Sequence, residues 1–259
     1  MHTFLFDSVI FGPVASRRLG SSLGINLLPA GKKICTFNCI YCECGFTEKG
    51  HSQDSAFPDR DTVKKQLELR LRELTGSGLV PDTITYAGNG EPTLHPEFEG
   101  IISDTVQIRD TVSPGSKIVV LSNASLVHKP SVYNALEQVD KNVLKLDTGI
   151  EATFQALNQP LGDVRLADII ANLKMFNGRM TIQTLFVKGK YRDKRIDNTS
   201  PEELRELYKL YWILRPAEVM VYTFARGTPV SGLEKIPYER LRIIADQIEG
   251  IGIKTDVQP

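Results

Sequence analysis

The chain has 259 residues, 41% of them hydrophobic, enough to bury one large core as a single domain over 1–259. Lys plus Arg and Asp plus Glu both number 31, so the formal net charge is zero and no global field draws the molecule to nucleic acid or an anionic membrane. Residues 1–7 form neither a basic leader nor an apolar run, and no segment approaches ~20 uninterrupted apolar residues; the expectation is a cytoplasmic protein with no membrane partner.

Apolar, β-branched-rich runs alternate with segments of helical period, the pattern of βα units around a parallel sheet. The runs predict strands at 23–28, 83–87, 117–122, 142–147, 180–187 and 218–224, and helices at 60–75, 97–108, 130–137, 166–176, 201–214 and 238–249. That makes roughly six βα units. The first helix puts Val63, Leu67, Leu71 and Leu74 on one stripe, with Lys64, Lys65, Arg70 and Arg72 on a solvated face. Ser200 can cap the fifth, with Pro201 at its first position and Glu203 completing a capping box. The Gly, Ser, Pro and Asp clusters at 75–81, 109–116 and 188–200 read as connecting loops. No repeat, low-complexity stretch or interdomain linker interrupts the pattern.

All four cysteines fall between Cys35 and Cys44, too tight for a disulfide framework. Clustered thiols point to a metal. Cys35, Cys39 and Cys42 are separated by three and then two residues, so a loop over about 29–46 can wrap one inorganic centre. A [4Fe–4S] cluster normally takes four cysteines; three would leave one iron open for a cosubstrate. Structural zinc is the other reading, although it would need Cys44 as a fourth ligand crowded into ten residues. Cys44 could otherwise be a spare thiol or a hydrogen donor.

The spacing, with Tyr41 directly before the third cysteine, resembles the signature of the radical S-adenosylmethionine superfamily. The resemblance implies a partial (βα)6 TIM-like barrel of α/β class. It also implies one [4Fe–4S] cluster on Cys35, Cys39 and Cys42, with S-adenosylmethionine chelated by its methionine amino and carboxylate groups at the open iron. Reductive cleavage would release a 5′-deoxyadenosyl radical that abstracts hydrogen from substrate, and an electron donor such as flavodoxin or ferredoxin would supply the electron. The cofactor carries that chemistry, and the protein positions it.

Gly88-Asn89-Gly90-Glu91-Pro92 follows the second predicted strand and is similar to the superfamily's Gly-Gly-Glu-Pro turn, which holds the amino group of S-adenosylmethionine. Ser122 and Asn123 end the third strand and Lys145 and Asp147 the fourth, where the superfamily commonly contacts the ribose or the methionine carboxylate. Gln183, inside the fifth, can face the barrel. Gly88, Ser122, Asp147, Lys188 and 223–226 lie at or past the C-terminal ends of predicted strands, the face on which parallel barrels build their sites.

Residues 12–20, 22–26 and 90–96 extend the resemblance to the group containing the wyosine-type tRNA-modifying synthetases. Those enzymes are associated with a second cluster on additional upstream cysteines, and no cysteine precedes Cys35, so the substrate is not carried over. Arg17, Arg18 and Arg226 are candidate anchors for a carboxylate or phosphate. The basic residues of 188–195 could receive an anion or RNA, or form a solvated loop. His2, His51, His95 and His128 are scattered, and His95 reads as a helix-entry residue. The alternative of another class is a non-catalytic iron–sulfur or zinc-binding protein.

Overall fold

The computed structural model describes residues 3–47 and 57–259; His2 and His51 lie outside them. In chain order the elements are β1 (Ile10–Ser16), β2 (Gly20–Ile25), α1 (Arg60–Gly76), β3 (Thr83–Tyr86), a single 3-10 turn (Pro92–Leu94), α2 (Phe98–Val112), β4 (Lys117–Ser122), α3 (Pro130–Gln138) and β5 (Lys141–Lys145). There follow α4 (Glu151–Leu157), α5 (Leu166–Lys174), β6 (Thr181–Leu185), β7 (Val187–Tyr191), β8 (Lys194–Asp197), α6 (Pro201–Leu214), β9 (Glu218–Tyr222), β10 (Leu233–Lys235), α7 (Tyr238–Gly250) and β11 (Lys254–Gln258).

Eight strands form one curled sheet in the order β1-β2-β3-β4-β5-β6-β9-β11. Every neighbouring pair is parallel except β1–β2. β2, β3, β4, β5, β6 and β9 each lead into helix, so the six expected βα units are present and the partial TIM-like barrel stands. A second sheet, β10-β7-β8, is antiparallel.

Strand alternation sorts the core into two layers. Ile84, Ile118, Val120, Leu144, Ile182, Val219 and Val221 face the helices within the main apolar cluster. The next residues along three of the strands, Val119, Val143 and Met220, form a separate buried cluster inside the barrel, with Leu19 and Leu121 against it. Elsewhere the interior is polar: Ser22 donates to Thr85 at 2.8 Å and Thr85 to Thr83 at 3.2 Å. The barrel interior thus holds an apolar plug beside a small hydroxyl network.

The helices dock as their stripes require. Asp59 caps α1 by accepting from the Thr62 amide at 2.8 Å, and Val63, Leu67, Leu71 and Leu74 are all buried. Lys64 and Arg72 find acidic partners on the outer face. Only half of the expected capping box forms on α6: Ser200 accepts from the Glu203 amide at 3.3 Å, but the Glu203 carboxylate accepts from the Thr148 hydroxyl instead, because α6 packs beside the turn that follows β5.

Two loop expectations are corrected. Residues 109–112 continue α2. The 188–200 segment is chiefly the β7–β8 hairpin. Its turn residues, Arg192 and Asp193, both take positive φ, +45° and +62°, the geometry normally signalled by Asn-Gly or Asp-Gly. The predicted strand at 180–187 is really two strands, parted at Phe186 where the chain leaves the barrel for the small sheet.

Candidate active site

The cysteine loop is stitched to the barrel at both edges. On one side Ile34 pairs with Gly90 as an isolated parallel bridge: the Ile34 amide donates to the Asn89 carbonyl at 2.9 Å and the Glu91 amide to the Ile34 carbonyl at 3.1 Å. On the other, Phe37 pairs with Pro160, the Ile40 amide donates to Leu157 at 3.0 Å and the Leu161 amide to Thr36 at 2.7 Å. Phe37 and Ile40 are buried in the core, Phe37 packing edge-on to Phe154. Apolar residues between the cysteines hold the loop down and leave the thiols along a common wall.

Gly88 and Gly90 are needed as glycines. Their φ values are +146° and +140°; a Cβ at Gly90 would lie 1.9 Å from the Ile34 carbonyl oxygen, and one at Gly88 2.4 Å from Asn26 Oδ1. The close approach of the two loops therefore depends on missing side chains.

Glu91 is buried, and its carboxylate is saturated from within. It accepts from Thr93 Oγ1 (2.6 Å), the Thr93 amide (3.2 Å), Ser122 Oγ (2.8 Å) and the Asn123 amide (2.7 Å). Burial pushes its pKa up, and these donors work against that rise. Glu91 therefore ties the glycine turn to the end of β4. Asn89 turns its side chain away from the thiols, accepting from the Phe6 amide at 2.8 Å and donating to the Phe6 and Pro29 carbonyls.

A cavity of about 200 Å³ lies where these pieces meet. Of the sequence-predicted residues, Cys35, Cys39, Cys42, Tyr41, Gly88, Gly90, Glu91, Ser122, Asn123, Lys145 and Gln183 border it. Asn89, Pro92 and Asp147 do not, and they support the wall from behind. Asp147 is a buried anchor, accepting from the Tyr41 hydroxyl, from Asn158 at 2.7 Å and from the Leu185 amide at 2.9 Å, with Lys145 at 3.4 Å.

Amide hydrogens point at the sulfurs. The Phe37 amide reaches Cys35 Sγ at 3.4 Å, Asn123 Nδ2 reaches it at 3.6 Å, and Asn158 Nδ2 reaches Cys39 Sγ at 3.5 Å. Lys33 is buried beside all three thiols; burial opposes its charge, and the thiols outweigh that and raise its pKa. Burial pushes Cys35 up to about 12 and also raises Cys39. Cys42 is held below the ordinary thiol value by a hydrogen bond from the Cys44 thiol, helped by the Lys33 charge and opposed by burial. The Gly88 carbonyl, 3.2 Å from Cys44 Sγ, is the alternative acceptor for that single thiol proton, on the wall shared with an outer cavity of about 410 Å³.

Among the described residues, no three of His, Cys, Asp and Glu converge as ligands of a single ion. Instead three thiols border one volume, with N–H donors and an ammonium to offset negative charge. Soft thiolates with neighbouring N–H donors are a donor set that a thiolate-ligated cluster or zinc can use.

Lys33 and Asn158 had no sequence signal. Lys33 reads as one of a surface Lys pair, and Asn158 as the C-cap it also is. His95 is the helix-entry residue expected, with its Nδ1 accepting from the Glu97 amide at 3.1 Å and its Nε2 2.8 Å from the Pro58 carbonyl. The basic hairpin residues Lys188, Lys190 and Arg195 each have an acidic neighbour, Glu234, Asp193 and Asp197.

No family model matches the chain. It is similar to a protein named GTPase Obg from Brachyspira hyodysenteriae, 32% identical over 223 residues, covering 85% of this chain and 30% of that protein. It is similar to a UPF0026 protein from Helicobacter pylori, 33% identical over 185 residues, covering 70% of this chain and 57% of that one. The chain thus spans less than two thirds of the length of these relatives. Among solved structures, a radical SAM methyltransferase from Sphaerobacter thermophilus aligns with TM-score 0.61 at 17% identity, covering 92% of this chain and 65% of that one. Streptococcus suis SuiB bound to precursor peptide SuiA gives 0.64 at 18%, covering 91% and 48%. TYW1 with a lysine–pyruvate adduct bound gives 0.59 at 13%, covering 88% and 73%.

Proposed function

We propose, from the premise that the chain has the radical S-adenosylmethionine fold, that it is a single-domain cytoplasmic enzyme holding one [4Fe–4S] cluster on Cys35, Cys39 and Cys42. The observation that carries the proposal is the shared wall: three thiols, the Gly88–Gly90 turn and Lys145 border one small cavity that adjoins a larger one.

When bound, the cluster and S-adenosylmethionine supply reductive cleavage to a 5′-deoxyadenosyl radical. The chain's residues do the rest. Cys35, Cys39 and Cys42 would ligate the cluster, and three ligands would leave an iron for the cosubstrate. Lys33 and the amides of Phe37, Asn123 and Asn158 balance the charge on the sulfurs. The Gly88–Gly90 turn would hold the methionine amino group, and Glu91 fixes that turn from behind. Ser122, Asn123, Lys145 and Gln183 line the inner cavity, while the Tyr41 hydroxyl and Asp147 brace its wall. A flavodoxin- or ferredoxin-like donor is the expected electron source.

The competing reading is a zinc or non-catalytic iron–sulfur protein. Metal analysis of anaerobically reconstituted protein separates these: about four irons and matching sulfide per chain are expected, lost in Cys39→Ala and retained in Cys44→Ala. Zinc in place of iron, or an intact cluster in Cys39→Ala, would overturn the assignment.

A further inference from the structure

The outer cavity is electrostatically unlike the chain that forms it. The formal charge of the protein is zero, yet Arg17, Arg18 and Arg226 border this cavity against one carboxylate, Glu43. Glu43 is already engaged, accepting from the Arg226 amide at 3.1 Å and its guanidinium at 3.2 Å. The excess charge belongs to Arg17 and Arg18. Among the described residues no carboxylate lies within 4.0 Å of either.

Arg18 is held in place. Ser16 Oγ accepts from the Arg18 amide at 3.4 Å and the Leu19 amide at 3.2 Å, and Leu19 packs on the Val119–Val143–Met220 plug. The guanidinium lies 4.4 Å from the centroid of the Tyr222 ring, with one donor toward Gln183 Oε1 at 3.4 Å. It thus reaches from the β1–β2 turn across the barrel to β6 and β9. That one long hydrogen bond leaves most of its donors unused. Phe6 and Phe11, stacked at 3.7 Å, give the cavity an apolar wall. A half-buried guanidinium lying on an aromatic ring, with free donors and no acid, matches a planar or tetrahedral oxyanion.

We infer that Arg18 anchors a carboxylate or phosphate of the substrate, and that the substrate is a small oxyanion-bearing molecule with an apolar or planar body. The inference rests on the proposed function for its view of which ligand sits where. A methionine end chelating the cluster belongs in the cysteine-lined cavity, which Arg18 does not border. The oxyanion that meets Arg18 in the outer cavity therefore comes from the second substrate.

The test uses the full chain carrying its cluster, with benzoate and inorganic phosphate as probes and calorimetry as the readout. At least one probe binds, and Arg18→Gln weakens that binding about tenfold, Arg18→Lys less, and the remote control Arg179→Gln not at all. The same variants are titrated with S-adenosylmethionine, and matching melting curves exclude misfolding. The anchor is overturned if neither probe binds the wild type, or if Arg18→Gln leaves probe binding unchanged. It is also overturned if S-adenosylmethionine loses more affinity than the probe, which would assign Arg18 to the methionine carboxylate. Arg18-dependent probe binding in a protein that never releases 5′-deoxyadenosine would remove the catalytic reading and leave the anchor standing.

Discussion

Lys145, at the end of β5, donates through its ammonium to the hydroxyl of Tyr41 in the cysteine loop at 2.6 Å, and the same hydroxyl donates to buried Asp147. The residue before the third cysteine is thereby fixed between a cation and an anion. Lys145→Met leaves the Asp147 carboxylate, which is wholly inaccessible to solvent, with no cation. Denaturant unfolding of this variant should show a loss of about 3–5 kcal/mol. Tyr41→Phe keeps the ring and the ion pair and should cost only about 1–3 kcal/mol. Equal losses would mean that the hydroxyl, and not the charge, holds the assembly.

Gly90→Ala forces a Cβ against the Ile34 carbonyl at a φ that alanine rarely adopts. The bridge between the turn and the cysteine loop should open, and iron content after reconstitution should fall by more than half. Gly115→Ala, with open space around the new methyl, should reconstitute as wild type. Full iron in Gly90→Ala would show that the loop keeps its shape without the bridge.

Asp104 accepts from Arg60 at 2.7 and 3.1 Å and from Lys64 at 3.2 Å. The hydrogen bonds from Arg60, then Lys64, hold its pKa below the ordinary carboxylate value. A carboxylate lowered on folding stabilises the protein fully above its unfolded pKa of about 3.9, and that contribution fades as pH falls through the folded value. Asp104→Asn should therefore melt below wild type at about pH 6, with the gap closing toward about pH 2. A gap that widens on acidification would contradict the ion pair joining α1 and α2.

Much of this was legible in the sequence where chemistry fixes spacing. The three cysteines, the glycine turn and the strand-end polar residues were found because each needs a particular residue type, and all but Asn89, Pro92 and Asp147 border one cavity. The six βα units were legible because their strands are buried on both faces and read as apolar runs. β11, Lys-Thr-Asp-Val-Gln, was missed because an edge strand can be polar. β1 was missed because Pro13 breaks its pattern, which an edge strand tolerates. The β7–β8 hairpin was read as a loop because Gly189, Asp193, Asp197 and Ser200 carry loop chemistry while Arg192-Asp193 is not a usual hairpin-turn pair. Lys33 and Asn158 acquire their roles only through tertiary approach to the sulfurs, which no local pattern encodes.

The most direct measurement is mass spectrometry for 5′-deoxyadenosine after anaerobic incubation of the reconstituted protein with dithionite and S-adenosylmethionine. Release that depends on the cluster and disappears in Cys39→Ala is the predicted result. A full complement of iron with no 5′-deoxyadenosine, even when extracts rich in small carboxylates and phosphates are added, would contradict the enzyme reading.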